Sequence, residues 1–276
     1  MPHKLLPPLA LNDWWETRDR IQLYARLLGA LCQHLAPRQK HGFHAGLQTT
    51  AVGLTTTPLP AGRFTLEMSL DFSTHMASVK TSRGDWHDVV LEGQSPRMFL
   101  AEMKASLEEL GLAVALDESP FRSDEDIDYD EEAVDRFWQA LSQIDSWLKA
   151  FKADFRGETG PVQLYPDEFD LSLLWLTGRL LPDQDPDDPE KADEHVLFGF
   201  STGDEGINEP YFYNMVYPWP DTIVGQALPA GASWVEDGFN GSVITYETVR
   251  QTADPRATVL AFWHAHRAAA RTTMGL

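Results

Sequence analysis

The spacing of apolar residues after Asp130 is the feature that most constrains this fold. They recur at intervals of three and four, which is the period of one helix face. The residues concerned are Val134, Phe137, Leu141, Ile144, Leu148, Phe151 and Phe155. Asp130 can cap the start of this helix, and Gly157 can end it with a positive φ. Residues 169–177 follow as a strand, so the sequence predicts a core helix packed on its own sheet.

The N-terminal half contains a strand of clear alternation at residues 63–72. Its apolar face carries Phe64, Leu66, Met68, Leu70 and Phe72, and polar residues occupy the other face. Short turns lead into strands at 76–81 and 86–91, which predicts an antiparallel sheet. A further short strand is predicted at 112–116.

Helices flank the strands in both halves. In the first half, a helix at 17–35 precedes the strands, and Ser95-Pro96 opens another after them. In the second half, Asp254-Pro255 opens the last helix. Its inward residues are Val259, Phe262, Trp263 and His266.

The repeated element order predicts an α+β fold made by internal duplication. Two similar helix–antiparallel-strands–helix halves would pack into one body. The predicted boundaries are 1–116 for the N-terminal repeat, 117–130 for an acidic, solvated connector, and 131–276 for the C-terminal repeat.

The composition limits which binding partners and which cellular compartment are expected for this chain. The net charge of −20 over 276 residues repels phosphate backbones and anionic lipid, so neither nucleic acid nor membrane is expected as a partner. No apolar run reaches the roughly 20 residues of a membrane helix, and the N-terminus lacks the pattern of a signal peptide. The single cysteine, Cys32, excludes an internal disulfide and fits the cytoplasm. Its apolar helix predicts a buried, inert thiol.

Motifs for cofactors, metals and nucleophiles are weak. His41 and His44 could ligate a metal together only on a helix or loop, and structural histidines are the preferred interpretation. The run that begins at Asp124 resembles a calcium loop but has Tyr129 where glycine is needed. Gly199-Phe-Ser is a fragment of a nucleophile motif without its remainder. The sequence therefore predicts no cofactor and no metal site.

Polar and aromatic residues on several predicted strands form the candidate ligand site. We expect these side chains to face a cleft between the two halves, with aromatic walls and few polar groups, as small-molecule sites have. The set is His44, Glu67, Asp71, Asp170, Arg179, His195, Tyr213 and Tyr217, with Asn214 beside them. A structural core with satisfied tyrosines is the competing interpretation. A non-catalytic interaction module, with an exposed aromatic face at 211–219, is the alternative function. Whether the protein is an enzyme, and its oligomeric state, stay open.

Asp170 and Arg179 have specific predicted pairings. Alternation puts Asp170 on the strand face opposite Leu171, Leu173 and Trp175. A carboxylate among leucines needs a partner, which we expect to be a histidine, a tyrosine or a backbone donor. Arg179 is too far along the strand to reach Asp170. We expect it to pair with a carboxylate such as Glu168, Glu67 or Asp71.

Several short motifs in a fixed order run through nearly the whole chain. They begin at Trp14-Trp-Glu-Thr17, Gly53-Leu-Thr-Thr56, Val134-Asp-Arg-Phe-Trp138, Phe155-Arg-Gly157, Phe169-Asp-Leu171, Tyr217-Pro-Trp-Pro220 and Tyr246-Glu-Thr-Val-Arg250. In these the chain resembles an uncharacterised bacterial family of unknown function. Members of that family often have a histidine where this chain has Gln163. The resemblance implies no activity.

Overall fold

The computed structural model describes residues 5–237 and 239–276. Over these residues the chain forms five α-helices and two antiparallel sheets, which confirms the predicted α+β class. Two compact units divide the chain. The N-terminal unit comprises Asn12–Trp138 and Gln163–Phe169, and the C-terminal unit comprises Gln139–Val162 and Asp170–Leu276 with the described residues up to Leu11. The predicted boundaries around 117–130 stay a prediction.

The helices and strands are numbered here in chain order. The helices are α1 Trp15–Leu35, α2 Pro96–Glu109, α3 Glu131–Lys152, α4 Tyr246–Arg250 and α5 Pro255–Met274. The strands of the N-terminal unit are β1 Gln48–Thr49, β2 Gly53–Thr55, β3 Leu59–Ala61, β4 Phe64–Asp71, β5 Met76–Thr81, β6 Trp86–Val90 and β7 Gln163–Tyr165. Those of the C-terminal unit are β8 Asp170–Leu180, β9 Asp193–Ser201, β10 Tyr211–Tyr217, β11 Ser233–Val235 and β12 Gly241–Thr245.

The sheet of the N-terminal unit is built around β4. Its strands lie in the order β1-β2-β4-β5-β6, and β3 also pairs with β4. Leu66, Met68, Leu70 and Phe72 are buried, as the alternation predicts. The β4–β5 and β5–β6 pairs confirm the two predicted hairpins. Residues 112–116 form no strand, so that prediction was wrong: the run alternates in burial but pairs with no ladder.

The acidic segment 117–130 is held on the N-terminal unit through backbone groups. Arg20, which is buried on α1, donates to the carbonyl oxygens of Gly93, Gln94 and Glu125. Asp126 accepts a hydrogen bond from the backbone N–H of Ser95 at 2.7 Å. The carboxylate of Asp126 therefore holds the backbone of the chain at the start of α2.

The predicted α3 is confirmed in period and in its start. Asp130 accepts a hydrogen bond from the N–H of Ala133 at 2.9 Å, the geometry of an N-cap. The predicted apolar positions from Val134 to Phe151 are buried. The helix ends at Lys152, so Phe155 lies beyond it. The chain passes from the N-terminal to the C-terminal unit within α3.

The sheet of the C-terminal unit has a core face covered by helices. Its strands follow the order β8-β9-β10-β12-β11. Phe198 of β9 contacts Phe151 of α3 at a ring-centroid distance of 4.9 Å, and Phe212 of β10 contacts Trp263 of α5 at 6.2 Å. All four rings are almost fully buried. We call this the helix-covered face.

None of the helices in the described residues is long and apolar enough to span a bilayer.

Candidate functional site

The opposite face of the C-terminal sheet carries most of the candidate residues. In antiparallel strands, directly opposed residues share a face. Asp170 opposes Ser201, Gly199 opposes Tyr213, and His195 opposes Tyr217. We call this the tyrosine face; its residues are Asp170, Ser172, Leu174, Leu176, His195, Leu197, Gly199, Ser201, Tyr211, Tyr213, Met215 and Tyr217.

A tyrosine–carboxylate pair is the central contact of the tyrosine face. The Tyr213 hydroxyl donates a hydrogen bond to Asp170 Oδ2, and a tyrosine is one of the three kinds of partner predicted for this carboxylate. The two residues lie on β10 and β8, with β9 between them. Tyr213 is 7% exposed and Asp170 8%. The predicted alternation is also confirmed, since Leu171 and Leu173 are buried on the other face.

Gly199 makes this contact across a strand possible. A Cβ at residue 199 would lie 2.4 Å from Cζ of Tyr213, well inside van der Waals contact. The absent side chain lets the phenol ring lie over β9 and reach the carboxylate on β8. The sequence pattern around Gly199 signals none of this.

A second tyrosine–carboxylate pair adjoins the first. The Tyr211 hydroxyl donates to Asp204 Oδ2 at 2.5 Å, and the Tyr211 and Tyr213 ring centroids are 5.9 Å apart. Asp204 also accepts from the backbone N–H groups of Gly206 and Ile207. Burial, and then the hydrogen bond to Asp204, raise the pKa of Tyr211 above its usual range. The phenol is therefore a donor at neutral pH.

The other end of the tyrosine face is more open. The His195 and Tyr217 rings oppose each other with centroids 5.2 Å apart, and His195 Nδ1 lies 2.9 Å from the carbonyl oxygen of Asp193. These two residues, with Leu197 and Met215, are half-buried. The tyrosine face thus has half-buried rings and apolar side chains at the His195 end and the buried carboxylate of Asp170 at the other end.

Arg179 is positioned away from Asp170. It donates to Glu194 Oε1 at 2.8 Å and to the carbonyl oxygen of Met274, near the C-terminus of α5, at 2.7 Å. A carboxylate partner was predicted, but Glu168, Glu67 and Asp71 were the wrong candidates. The pairing of β8 with β9 shifts register between Leu176 and Leu180, and this shift brings Arg179 to Glu194.

His44, Glu67 and Asp71 belong to the N-terminal unit. His44 Nδ1 accepts from the N–H of Gln39 at 3.3 Å. Asp71 accepts from the N–H groups of Ser73 and Thr74, so it shapes the turn after β4. Glu67 opposes Lys80 on β5. Their sharing of a site with Asp170 stays a prediction.

A buried glutamine of the N-terminal unit lies against Gly46, two residues after His44 in the chain. Gln163 is 1% exposed, accepts a hydrogen bond from Gln48 Nε2 at 3.1 Å, and packs against Gly46. A Cβ on Gly46 would overlap its amide. In residues 5–237 and 239–276, no group of three or more His, Cys, Asp or Glu side chains could hold a metal ion.

The helix-covered face contains a polar cluster that sequence reasoning did not assemble. Ser242 Oγ lies 2.9 Å from His266 Nδ1 and accepts from Asn214 Nδ2 at 3.1 Å. All three residues are fully buried. Burial lowers the pKa of His266 to about 3. An enclosed serine beside so weak a base lacks what a nucleophile needs.

The fold defines an α+β protein with two antiparallel sheets and a polar, tyrosine-rich sheet face. The chain belongs to the family of unknown function DUF5996, whose model matches residues 6–275. This membership confirms the resemblance predicted from the sequence motifs. No curated protein and no solved structure matches the chain.

Proposed function

We propose that the tyrosine face binds a small molecule that has hydrogen-bond donors and a flat apolar part. The observation that carries this proposal is the buried Asp170–Tyr213 contact across Gly199. A polar pair in a buried, aromatic setting is the arrangement that orients ligands in small-molecule sites.

The chemistry of the face favours a donor-bearing or cationic ligand. Asp170 and Asp204 supply acceptor oxygens, and an ionised carboxylate only accepts. Half-buried Tyr217 and His195 offer ring surfaces, on which a flat or cationic group can stack. The net charge of −20 adds a long-range preference for cations.

Native mass spectrometry of the protein purified from its own host tests for a retained ligand. A thermal-shift screen then compares small amines and hydroxylated aromatics with matched carboxylic acids. The proposal predicts stabilisation by the first two classes and none by the acids. Stabilisation by the acids alone would contradict it.

Two tyrosine variants separate binding from stability. Tyr213→Phe removes the hydroxyl that contacts Asp170. Tyr246→Phe removes another buried hydroxyl of the same unit, which donates to the carbonyl oxygen of Pro7 at 2.8 Å. Both should lose about 1 kcal/mol of stability, but only Tyr213→Phe should weaken binding of a compound from the screen. Equal binding by both variants would place the site elsewhere.

His44, Glu67, Asp71 and Arg179 are part of the proposed ligand set on the sequence prediction alone. Single alanine variants of each, titrated with the same compound, test their membership. If a variant binds the compound as tightly as the wild type does, the substituted residue is not part of the ligand site.

The alternative function is a protein-interaction module. The support for this alternative is edge strand β6, where the side chains of Trp86 and Val90 are 62% and 51% exposed. The segment 211–219, favoured from the sequence, is mostly buried or half-buried. A stoichiometric protein partner in the native mass spectrum, lost in Trp86→Ser, would favour this alternative.

We also propose that the two halves arose by duplication. The support is the repeated order of a long helix, antiparallel strands and a helix with proline in its first turn, at Pro96 and at Pro255. Superposition of each α–sheet–α set from a crystal structure tests this. Halves whose helix–strand–helix units cannot be superposed would exclude it.

A cytoplasmic location without nucleic-acid binding completes the proposal. The acidic net charge and the single cysteine support it. Salt-sensitive DNA or RNA binding in a gel-shift assay would contradict the absence of nucleic-acid affinity.

A further inference from the structure

The segment that follows α2 is an extended run whose sequence reads the same in both directions. Residues 112–116 are Leu-Ala-Val-Ala-Leu, and no charged residue lies between Glu109 and Asp117. The structure has no helix, turn or bend over residues 112–118. The first, third and fifth residues of 112–116 are half-buried and the other two are exposed, which is the alternation of a β-strand. We call residues 112–116 the palindromic segment.

Both ends of the palindromic segment are tethered to α2. The N–H of Leu112 donates to the carbonyl oxygen of Leu107 at 2.9 Å, which closes the C-terminus of α2 after Gly111. Just beyond the other end, Lys104 Nζ donates to Glu118 Oε1 at 2.6 Å. The segment is therefore already extended before any partner binds, so pairing with another strand costs little conformational entropy.

The hydrogen bond of Leu112 decides which edge of the segment is open. In an extended chain the N–H and C=O of one residue point to the same side, and those of the next residue point to the opposite side. Because the N–H of Leu112 points to Leu107, the main-chain groups of Ala113 and Ala115 point away from it. Within residues 5–237 and 239–276, neither alanine makes a main-chain hydrogen bond. Their side chains are small and exposed, so they leave this edge accessible.

The palindromic segment lacks the residues that normally prevent pairing at an open edge. It contains no lysine and no proline, both of which block edge strands in many proteins. Its open main-chain groups are therefore a template for another strand. In an antiparallel pair a palindromic sequence places identical residues opposite each other, so the strand that matches this one best is its own copy.

We propose that the palindromic segment is a self-association site, at which a second copy of this chain pairs antiparallel about a two-fold axis at Val114. Val114 then opposes Val114 of the partner subunit, and Ala113 opposes Ala115 of the partner subunit. Each copy gives the other the same contacts, as an isologous interface requires. Each alanine pair exchanges both of its N–H···O=C bonds through groups that are open in the single chain. This site does not depend on the tyrosine face or its ligand.

The charges on either side of the segment agree with this register. Asp117 lies opposite Gly111 of the partner subunit, and Glu118 lies opposite Leu110 of the partner subunit. No carboxylate therefore directly opposes another, an arrangement that would destabilise the pair. The net charge of −20 on each copy still opposes association at long range. Added salt should therefore favour the dimer.

Sedimentation velocity of the full chain over a series of protein concentrations tests the proposal. A reversible monomer–dimer equilibrium is expected, because so short a segment gives a small contact area, and it should shift toward dimer with added sodium chloride. Ala115→Pro removes an outward N–H, whereas Ala115→Ser, the matched control, keeps it. Only the proline variant should lose the dimer. Monomer at every concentration, or equal dimerisation of the two variants, would overturn the proposal.

Cysteine cross-linking tests the position of the two-fold axis and needs no proline. The Val114 pair is not hydrogen-bonded, so its Cα atoms are about 4.5 Å apart, within the reach of a disulfide. Val114→Cys should form a covalent dimer with oxidised glutathione, which is reduced to two molecules of glutathione. In Ala113→Cys, the control, the two cysteines are diagonal neighbours about 7–8 Å apart and should stay unlinked.

The native thiol adds no background to this comparison, because Cys32 is buried. The products are separated by non-reducing gel electrophoresis. A covalent dimer from Val114→Cys and none from Ala113→Cys is the expected result. Equal cross-linking at the two positions, or none at residue 114, would overturn the proposal.

Discussion

Gly199 is the residue on which the tyrosine face depends. Its backbone carries the strand, and its missing side chain leaves room for the Tyr213 ring on the way to Asp170. A larger residue at 199 would separate a donor and an acceptor that are both buried. The cost of the substitution therefore includes both overpacking and the loss of this buried hydrogen bond.

We predict that Gly199→Ala destabilises the protein by about 1–3 kcal/mol and displaces Tyr213. Urea unfolding measures the first effect, and the ultraviolet difference spectrum of tyrosine the second. Gly225→Ala is the matched control, because beyond its own backbone surroundings no described atom lies within 4 Å of a Cβ at that position. Equal stability of the two variants would mean that Tyr213 moves without loss.

His266 gives stability a defined dependence on pH. Its pKa is about 3 in the folded protein and 6.5 for a free side chain. Between these values the unfolded chain binds the extra proton, so stability is complete above about 6.5 and falls as pH falls toward 3. The slope from this one group is at most about 1.4 kcal/mol per pH unit.

The variant His266→Gln isolates this contribution. Carboxylates titrate alike in both proteins, so the wild-type minus variant difference in unfolding free energy should shrink as the pH falls through this window. Urea midpoints at a series of pH values measure it. If this difference in unfolding free energy does not change with pH, His266 is not held in its neutral form by burial.

The thiol of Cys32 is buried, as the sequence predicts. Its pKa is raised to about 12 by burial in α1. We expect no reaction with a thiol reagent at neutral pH in the native state and full reaction in denaturant. Rapid native labelling would contradict the burial of α1 in the core.

At the scale of elements, α5 shows how a start signal is used. Asp254 accepts a hydrogen bond from the N–H of Ala257 at 2.9 Å, and Pro255 occupies the first turn. We predict that Asp254→Ala costs about 1 kcal/mol by loss of the cap, measured by urea unfolding. Asp221→Ala, which removes an exposed carboxylate with no helix to cap, should be within about 0.5 kcal/mol of the wild type.

Alternation within one element was predictable, because it depends only on the local period. It gave the buried face of β4, the face of α3 and the side of β8 on which Asp170 lies. The pairing between elements was not predictable, because strand register depends on turns and bulges that alternation does not encode. The register shift between β8 and β9 after Leu176 places Glu194 beside Arg179. The contact across Gly199 likewise needed the register of three strands at once.

At the scale of the whole molecule, charge is the dominant feature. The sequence has 42 acidic and 22 basic residues, and most of the ion pairs described have at least one exposed partner. Such pairs contribute little, whereas the excess of negative charge opposes the compact state by self-repulsion. Added salt should therefore relieve more repulsion than it removes attraction.

We predict that the melting temperature rises as sodium chloride is raised from low to physiological ionic strength, where the Debye length is about 8 Å. The triple variant Asp183→Asn, Asp187→Asn, Glu190→Gln removes three exposed negative charges, so its net charge is −20 + 3 = −17. It should melt higher than the wild type at low salt and respond less to added salt. A fall in melting temperature with salt would mean that attractive ion pairs outweigh the net repulsion, and the acidic surface would then be a source of stability.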